Sequence, residues 1–117
     1  MLEKDVAKEI LLATTHIVDW NRNNVGKYDA NPNCPHCKTR KDPRRGPQWV
    51  AYGVGGAGGS DYLGIVRKSG LWVACEVKVP GKHPTEEQAQ FLGRVRLNGG
   101  VGIVAHSADE ALAAVPH

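Results

Sequence analysis

The chain has 117 residues, 41% hydrophobic and 23% charged, with a formal charge of +3. That length suits a single domain over residues 1–117, with a modest core that a second copy could help to bury. No apolar run approaches the roughly 18 residues a membrane span needs, the start Met1-Leu2-Glu3-Lys4-Asp5 is not a signal peptide, and three cysteines do not make a secreted disulfide framework, so a cytoplasmic protein is expected. The slight positive charge suits a polyanionic partner without requiring one.

Val6, Ile10, Ala13, Ile17 and Trp20 recur at helical spacing and predict a first helix from about Lys4 to Asp19. Residues 21–46 have no periodicity and are rich in Asn, Pro, Lys and Arg, which predicts a long loop. Within it, Cys34-Pro35-His36-Cys37 has the spacing of half a zinc knuckle, but two thiolates fall short of the four ligands of structural zinc. His16, His36 or the same pair from a second subunit would complete such a site. An unliganded loop and a redox-labile pair are the alternatives, and Cys75 is excluded if it is buried in the sheet. Lys38, Arg40, Lys41, Arg44 and Arg45 then set five cations in eight residues against Asp42 alone. They are either phosphate contacts whose binding falls with salt or a solvated charged loop.

Gln48 to Tyr52 is expected to begin the sheet. The run Gly53-Val54-Gly55-Gly56-Ala57-Gly58 matches G-x-G-x-x-G, yet a strand follows so soon that no helix fits, which argues against a dinucleotide site; the absent Gly-Lys-Ser/Thr excludes a P-loop. It reads as a loop that lets a DNA backbone come close, or as a plain hairpin or bulge. Asp61 to Arg67, the turn Lys68-Ser69-Gly70 and Leu71 to Val79 form a predicted hairpin. After Pro80-Gly81-Lys82-His83-Pro84 come a helix from Thr85 to Leu97 with Ala89, Leu92 and Val95 inward, a Gly99-Gly100 stop, a buried strand from Val101 to Ala105 and a short helix from Ala108 to Val115. The predicted order is α-β-β-β-α-β-α. His83 and His106 read as surface residues, and Trp20, Trp49 and Trp72 as core or interface.

The chemistry concentrates between Gly58 and Lys78. In the second hairpin strand Leu71, Val73, Cys75, Val77 and Val79 form an apolar face, and Trp72, Ala74, Glu76 and Lys78 form the other. Glu76 and Lys78 therefore point the same way, about 6.6 Å apart along the strand. Asp61 lies across from the Glu76 end, so two carboxylates converge beside one ammonium. Such oxygen ligands suit Mg²⁺, which uses one or two protein carboxylates and keeps waters for phosphate to replace. Lys78 would orient the nucleophile or stabilise the crowded phosphorus, and the reaction would be phosphodiester hydrolysis. The competing reading is a solvated Glu-x-Lys pair on the open face of a sheet. Gln88 has two readings as well, since Thr85-Glu86-Glu87-Gln88 is also a capping box.

Gly58-Gly59-Ser60-Asp61-Tyr62-Leu63-Gly64, then Cys75-Glu76-Val77-Lys78, Thr85 to Leu92 and Gly99-Gly100-Val101-Gly102 together resemble the VRR-NUC family of PD-(D/E)XK nucleases. The resemblance covers Tyr52 to about Ala111, and the first helix more loosely. Ser60 stands where the family has proline. The resemblance implies an α/β fold with a PD-(D/E)XK, restriction-endonuclease-like core: a central mixed sheet flanked by helices, here with a Cys-containing basic insertion at about 21–47. It implies metal ligands at Asp61 and Glu76, with the Val77 carbonyl as a third, a catalytic lysine at Lys78 and a site glutamine at Gln88. Glu3 matches the acid of helix one, with Glu9 the alternative, and Ser60 joins the basic loop among expected DNA contacts. It further implies a Mg²⁺- or Mn²⁺-dependent, dimeric, structure-selective endonuclease of the junction-resolving kind, as in stand-alone phage and bacterial members; a phage product would work inside its host cell. A non-catalytic nucleic-acid-binding module and a small phage protein that engages a host factor are the rival readings.

Overall fold

The structure, a computed structural model, describes residues 2–117. Its elements are α1 (Glu3–Thr14), β1 (Val18–Arg22), β2 (Gly26–Asp29), β3 (Trp49–Tyr52), β4 (Tyr62–Val66), β5 (Trp72–Val77), α2 (Glu86–Leu97), β6 (Val101–Ala105) and α3 (Ala108–Ala114). The chain is mixed α/β. A four-stranded sheet runs β1-β4-β5-β6, antiparallel except for the parallel β5–β6 pair, and β2 and β3 form a separate two-stranded ribbon.

The first helix ends five residues before the expected limit of Asp19. Thr14 is buried, and its hydroxyl donates to the Ile10 carbonyl (2.7 Å) while accepting from the Trp20 indole N–H (2.8 Å). The β-branched Thr15, Ile17 and Val18 that follow favour extended backbone. Ile17 and Trp20 still reach the same core as α1, from the turn and from β1 respectively, so their spacing mimicked a helical face. Trp20 pairs with Gly64, where a Cβ would come within 2.8 Å of the indole and 2.6 Å of Val18.

β1 also takes the place expected of Gln48–Tyr52. The latter segment does form a strand, β3, but it pairs with β2 outside the main sheet, and all four of its residues are exposed. With β1 in that place, the main body reads α-β-β-β-α-β-α. The expected loop over 21–46 thus holds the end of β1, all of β2 and an ordered connection. There the buried Asn31 amide donates to the Asp42 and Gly46 carbonyls (3.1 and 2.9 Å) and its oxygen accepts the Asp42 N–H.

β5 lies between β4 and β6 and is covered on both faces. Val73, Cys75 and Val77 join Val6 and Ile10 of α1 and Ala111 of α3 in one core, while Ala74 packs beneath Phe91, Leu92 and Val95 of α2. Ala89, expected to face inward, is exposed, and Phe91 fills that role. Each fully buried aliphatic side chain contributes roughly 1.5–3 kcal/mol, so a charge placed on β5 sits in the least hydrated part of the molecule.

Candidate active site

Three elements deliver three carboxylates to one end of the sheet. Asp61 immediately precedes β4, and because Tyr62 is registered against Cys75, Asp61 falls opposite Glu76. Its Oδ2 accepts the Val77 N–H at 3.0 Å and its backbone carbonyl accepts the Asn23 N–H at 2.8 Å, which extends the ladders on both sides. Glu3 opens α1, where a carboxylate also suits the helix dipole. One oxygen from each of Glu3, Asp61 and Glu76 lies within 4.8 Å of the others. Glu9, six residues further along α1, is outside this group, and Asp5 is occupied in capping the helix through the Leu2 N–H (3.1 Å).

Glu76 is not a solvated surface residue. It is 1% exposed, with Oε1 at 3.5 Å from Lys78 Nζ and Oε2 without any hydrogen-bond partner. Burial, reinforced by the Asp61 charge and opposed by Lys78, pushes its carboxyl up to about 7. A buried carboxylate with an unmatched oxygen is costly, and native structures tolerate such a group chiefly where it serves an ion or a reaction. Two oxygens on one cation stand at most about 4 to 5 Å apart for ordinary Mg²⁺ to Ca²⁺ bond lengths. The spacing and the all-oxygen donor set therefore fit a hard divalent ion. In an extended residue the N–H and C=O face the same neighbour, so the Val77 carbonyl is directed toward the edge where Asp61 sits.

Lys78 follows β5, its N–H on the Ala105 carbonyl at 3.0 Å and its side chain largely covered. Glu3, Asp61 and Val77 line a cleft of about 590 Å³ together with Lys4, Arg22, Tyr52 and Tyr62, whereas Lys78 and the buried Glu76 are not among its lining residues. Arg22 pairs in register with Tyr62, next to Asp61. Arg22 falls where the polar composition predicts loop, and the alternation Val18-x-Trp20-x-Arg22 is the signal that marks it as strand.

Gln88 makes the capping box, its Oε1 accepting the Thr85 N–H (2.8 Å) and Thr85 Oγ1 accepting the Gln88 N–H (3.2 Å). It does not line the cleft. Ser60 is buried with its hydroxyl unpartnered, so it offers no surface to DNA in this conformation. The glycine run is packed at its end, where a Cβ on Gly58 would lie 2.7 Å from the Glu87 carbonyl oxygen of α2, and tethered by the Asn23 side chain, which bonds the Val54 N–H and the Val54 and Ser60 carbonyls, while Gly53, Val54 and Gly55 stay exposed.

The basic segment is only partly available to a ligand. Arg40 is tied to Asp29 (2.7 Å), whose carboxyl is lowered by N–H groups of Gln48 and Asn31 and by Arg40 itself, so Asp42 is not the sole acid balancing these cations. Arg44 and Arg45 both pair with Asp42 (3.1 and 3.6 Å). Lys38 and Lys41 have no salt bridge among the described residues. Cys34 and Cys37 are free thiols on a tight turn, and hydrogen bonds from Thr39 and Cys34 hold the Cys37 thiol down at about 7. Cys75 is buried in β5, and burial raises its thiol to about 12.

The remaining aromatic and histidine expectations change in part. Trp49 and Trp72 are 59% and 43% exposed, neither being core, although Trp72 meets Phe91 edge-on. His106 is more than a surface residue. It bonds Glu110 (2.9 Å) and the Lys82 carbonyl (2.7 Å), and these contacts raise its pKa. No helix among the described residues is long and apolar enough to cross a membrane. No family model, curated protein or solved structure matches the chain.

Proposed function

We propose that the chain is a metal-dependent DNA endonuclease of the PD-(D/E)XK type, similar to the VRR-NUC family, acting on branched DNA such as a four-way junction. The observation that carries this reading is the buried Glu76 carboxylate with its unpartnered oxygen, grouped with Asp61 and Glu3 and flanked by Lys78. A buried, partly protonated acid grouped with two carboxylates that line a cleft is a costly arrangement for a structural residue and a useful one for a phosphodiesterase.

Asp61, Glu76 and Glu3 would hold Mg²⁺ or Mn²⁺, with the Val77 carbonyl as a further ligand. The ion would lower the pKa of water toward neutrality and neutralise phosphate charge. Lys78, whose Nζ lies 3.5 Å from Glu76 Oε1, would donate to the attacking water or to a phosphate oxygen, and its proximity favours the ionised form of that acid. Arg22 and Lys4, on the wall of the cleft, are set to hold the scissile phosphate or its neighbour. Gln88 supports the α2 terminus through its capping bonds. A homodimer would supply the two active sites that cutting both strands of a junction requires.

The test is cleavage of labelled four-way junction, flap, duplex and single-stranded DNA by the wild type and Asp61→Asn, in Mg²⁺, Mn²⁺ and EDTA. Metal-dependent cutting that disappears in the variant supports the proposal. Folded protein that binds DNA and cuts none of these substrates refutes it in favour of a non-catalytic binding module.

A further inference from the structure

We propose that Cys34 and Cys37 form half of a zinc site that a second copy of this chain completes, giving four thiolates on one ion. This does not depend on the nuclease reading, because the turn lies in the connection between β2 and β3 and shares no residue with the acidic group.

The turn is already shaped around the sulfurs. The Cys37 N–H is directed at Cys34 Sγ (3.4 Å), the Thr39 hydroxyl lies 2.8 Å from Cys37 Sγ, and both cysteines line one shallow cavity. Lys38 bonds back from its N–H to the Cys34 carbonyl (3.0 Å), the Cys34 N–H bonds the Thr39 carbonyl (2.6 Å), and an Asn33–Arg40 bridge closes the base. Lys38 has φ 62°, the one non-glycine residue among those described with positive φ. Such a conformation persists only where the surrounding contacts over-determine it. An N–H directed at one sulfur and a hydroxyl against the other, on a Cys-x-x-Cys turn held this firmly, suit a metal-ligating pair of thiolates.

One chain, however, stops at two ligands. Among the described residues Glu3, Asp61 and Glu76 are the one group of three or more candidate ligands whose donor atoms converge. His36, between the two cysteines and exposed, does not converge with them, and Cys75 is sealed inside β5. A two-fold axis through the ion supplies an identical pair and makes a closed, self-complementary contact. Lys38 and Lys41, which make no salt bridge among the described residues, would offset the net −2 charge of four thiolates on Zn²⁺. The exposed β2–β3 ribbon, marginal as an isolated pair of strands, would be anchored at its tip.

Zinc content and native mass of the reduced, zinc-loaded protein test the proposal, together with cobalt substitution. One zinc per two chains, a dimer mass, and thiolate-to-cobalt charge-transfer bands are expected. The bands and that zinc are expected to vanish in Cys34→Ser/Cys37→Ser with the melting of the core unchanged, and Cys37→Ser alone, at an exposed position, gives the same result if the double variant misfolds. Asp61→Asn is expected to keep both. Zinc on a monomer, no zinc uptake by the reduced protein, or zinc lost in Asp61→Asn but kept in the cysteine variant would each overturn it.

Discussion

Glu76→Gln separates the structural cost of the buried acid from its use. In the folded protein Glu76 ionises at about 7 rather than at its ordinary 4.5, because burial and Asp61 outweigh Lys78. The folded state therefore holds this proton where the unfolded chain has released it. Stability from this group is complete below pH 4.5, declines as pH rises through the window from 4.5 to about 7, and is lost above it. At pH 8 the difference is worth about 3 kcal/mol. Glutamine has nearly the same shape and no charge to desolvate; its amide can donate toward Asp61 and its oxygen can accept from Lys78. In EDTA at pH 8 the variant should melt higher than the wild type by roughly 10 °C, since 1 kcal/mol corresponds to about 4 °C in a domain this size. At pH 4.5 the two should melt together. Mg²⁺ should then raise the melting temperature of the wild type at pH 8 and leave the variant where it was, with the wild-type gain shrinking below pH 7 as protons compete for the carboxylate. Calorimetry at the two pH values, with and without Mg²⁺, reads all of this. A variant destabilised equally at both pH values would refute the account of a strained, ion-seeking acid.

Lys78→Ala should lower cleavage by at least about 10²-fold, a usual loss for one electrostatic donor, while circular dichroism and junction affinity stay close to wild type; single-turnover assays decide this. Asp61→Asn keeps an oxygen for the Val77 N–H, so its stability should change by less than about 1 kcal/mol, while isothermal titration shows Mg²⁺ binding lost. Lys41→Ala should reduce the salt dependence of DNA binding by about one unit in the log–log slope without altering the melting curve. Arg40→Ala should instead loosen the loop, seen as faster hydrogen exchange around Asn31, because it removes the partner of Asp29. Gly64→Ala crowds Trp20 and Val18 and should cost about 1–3 kcal/mol in urea titration.

Period-two and period-3.6 patterning over local stretches determined most of the elements. β6 matches its expected limits of Val101 and Ala105, α2 starts one residue inside its Thr85 cap, and the hairpin of β4 and β5 is shorter than expected by one residue at each end of β4, and by one and two residues at the ends of β5. The same local pattern set Asp61 opposite Glu76 and turned Glu76 and Lys78 to one side, since a strand's alternation and a hairpin's register are properties of neighbouring residues. Composition alone could not show that β2, inside the expected loop, pairs with β3 just beyond it, because Tyr28 and the residues of β3 face water and leave no hydrophobic rhythm to read. Nor could it show which strand lies beside β4: β3 is the more apolar of the two, and β1 takes the place through Val18 and Trp20, which join the core of α1. The choice of Glu3 over Glu9 depended on where α1 crosses the sheet. What tertiary structure decided above all is the environment of Glu76. A carboxylate is solvated or strained according to whether helices cover both faces of its strand, and that is a long-range property which no local spacing contains.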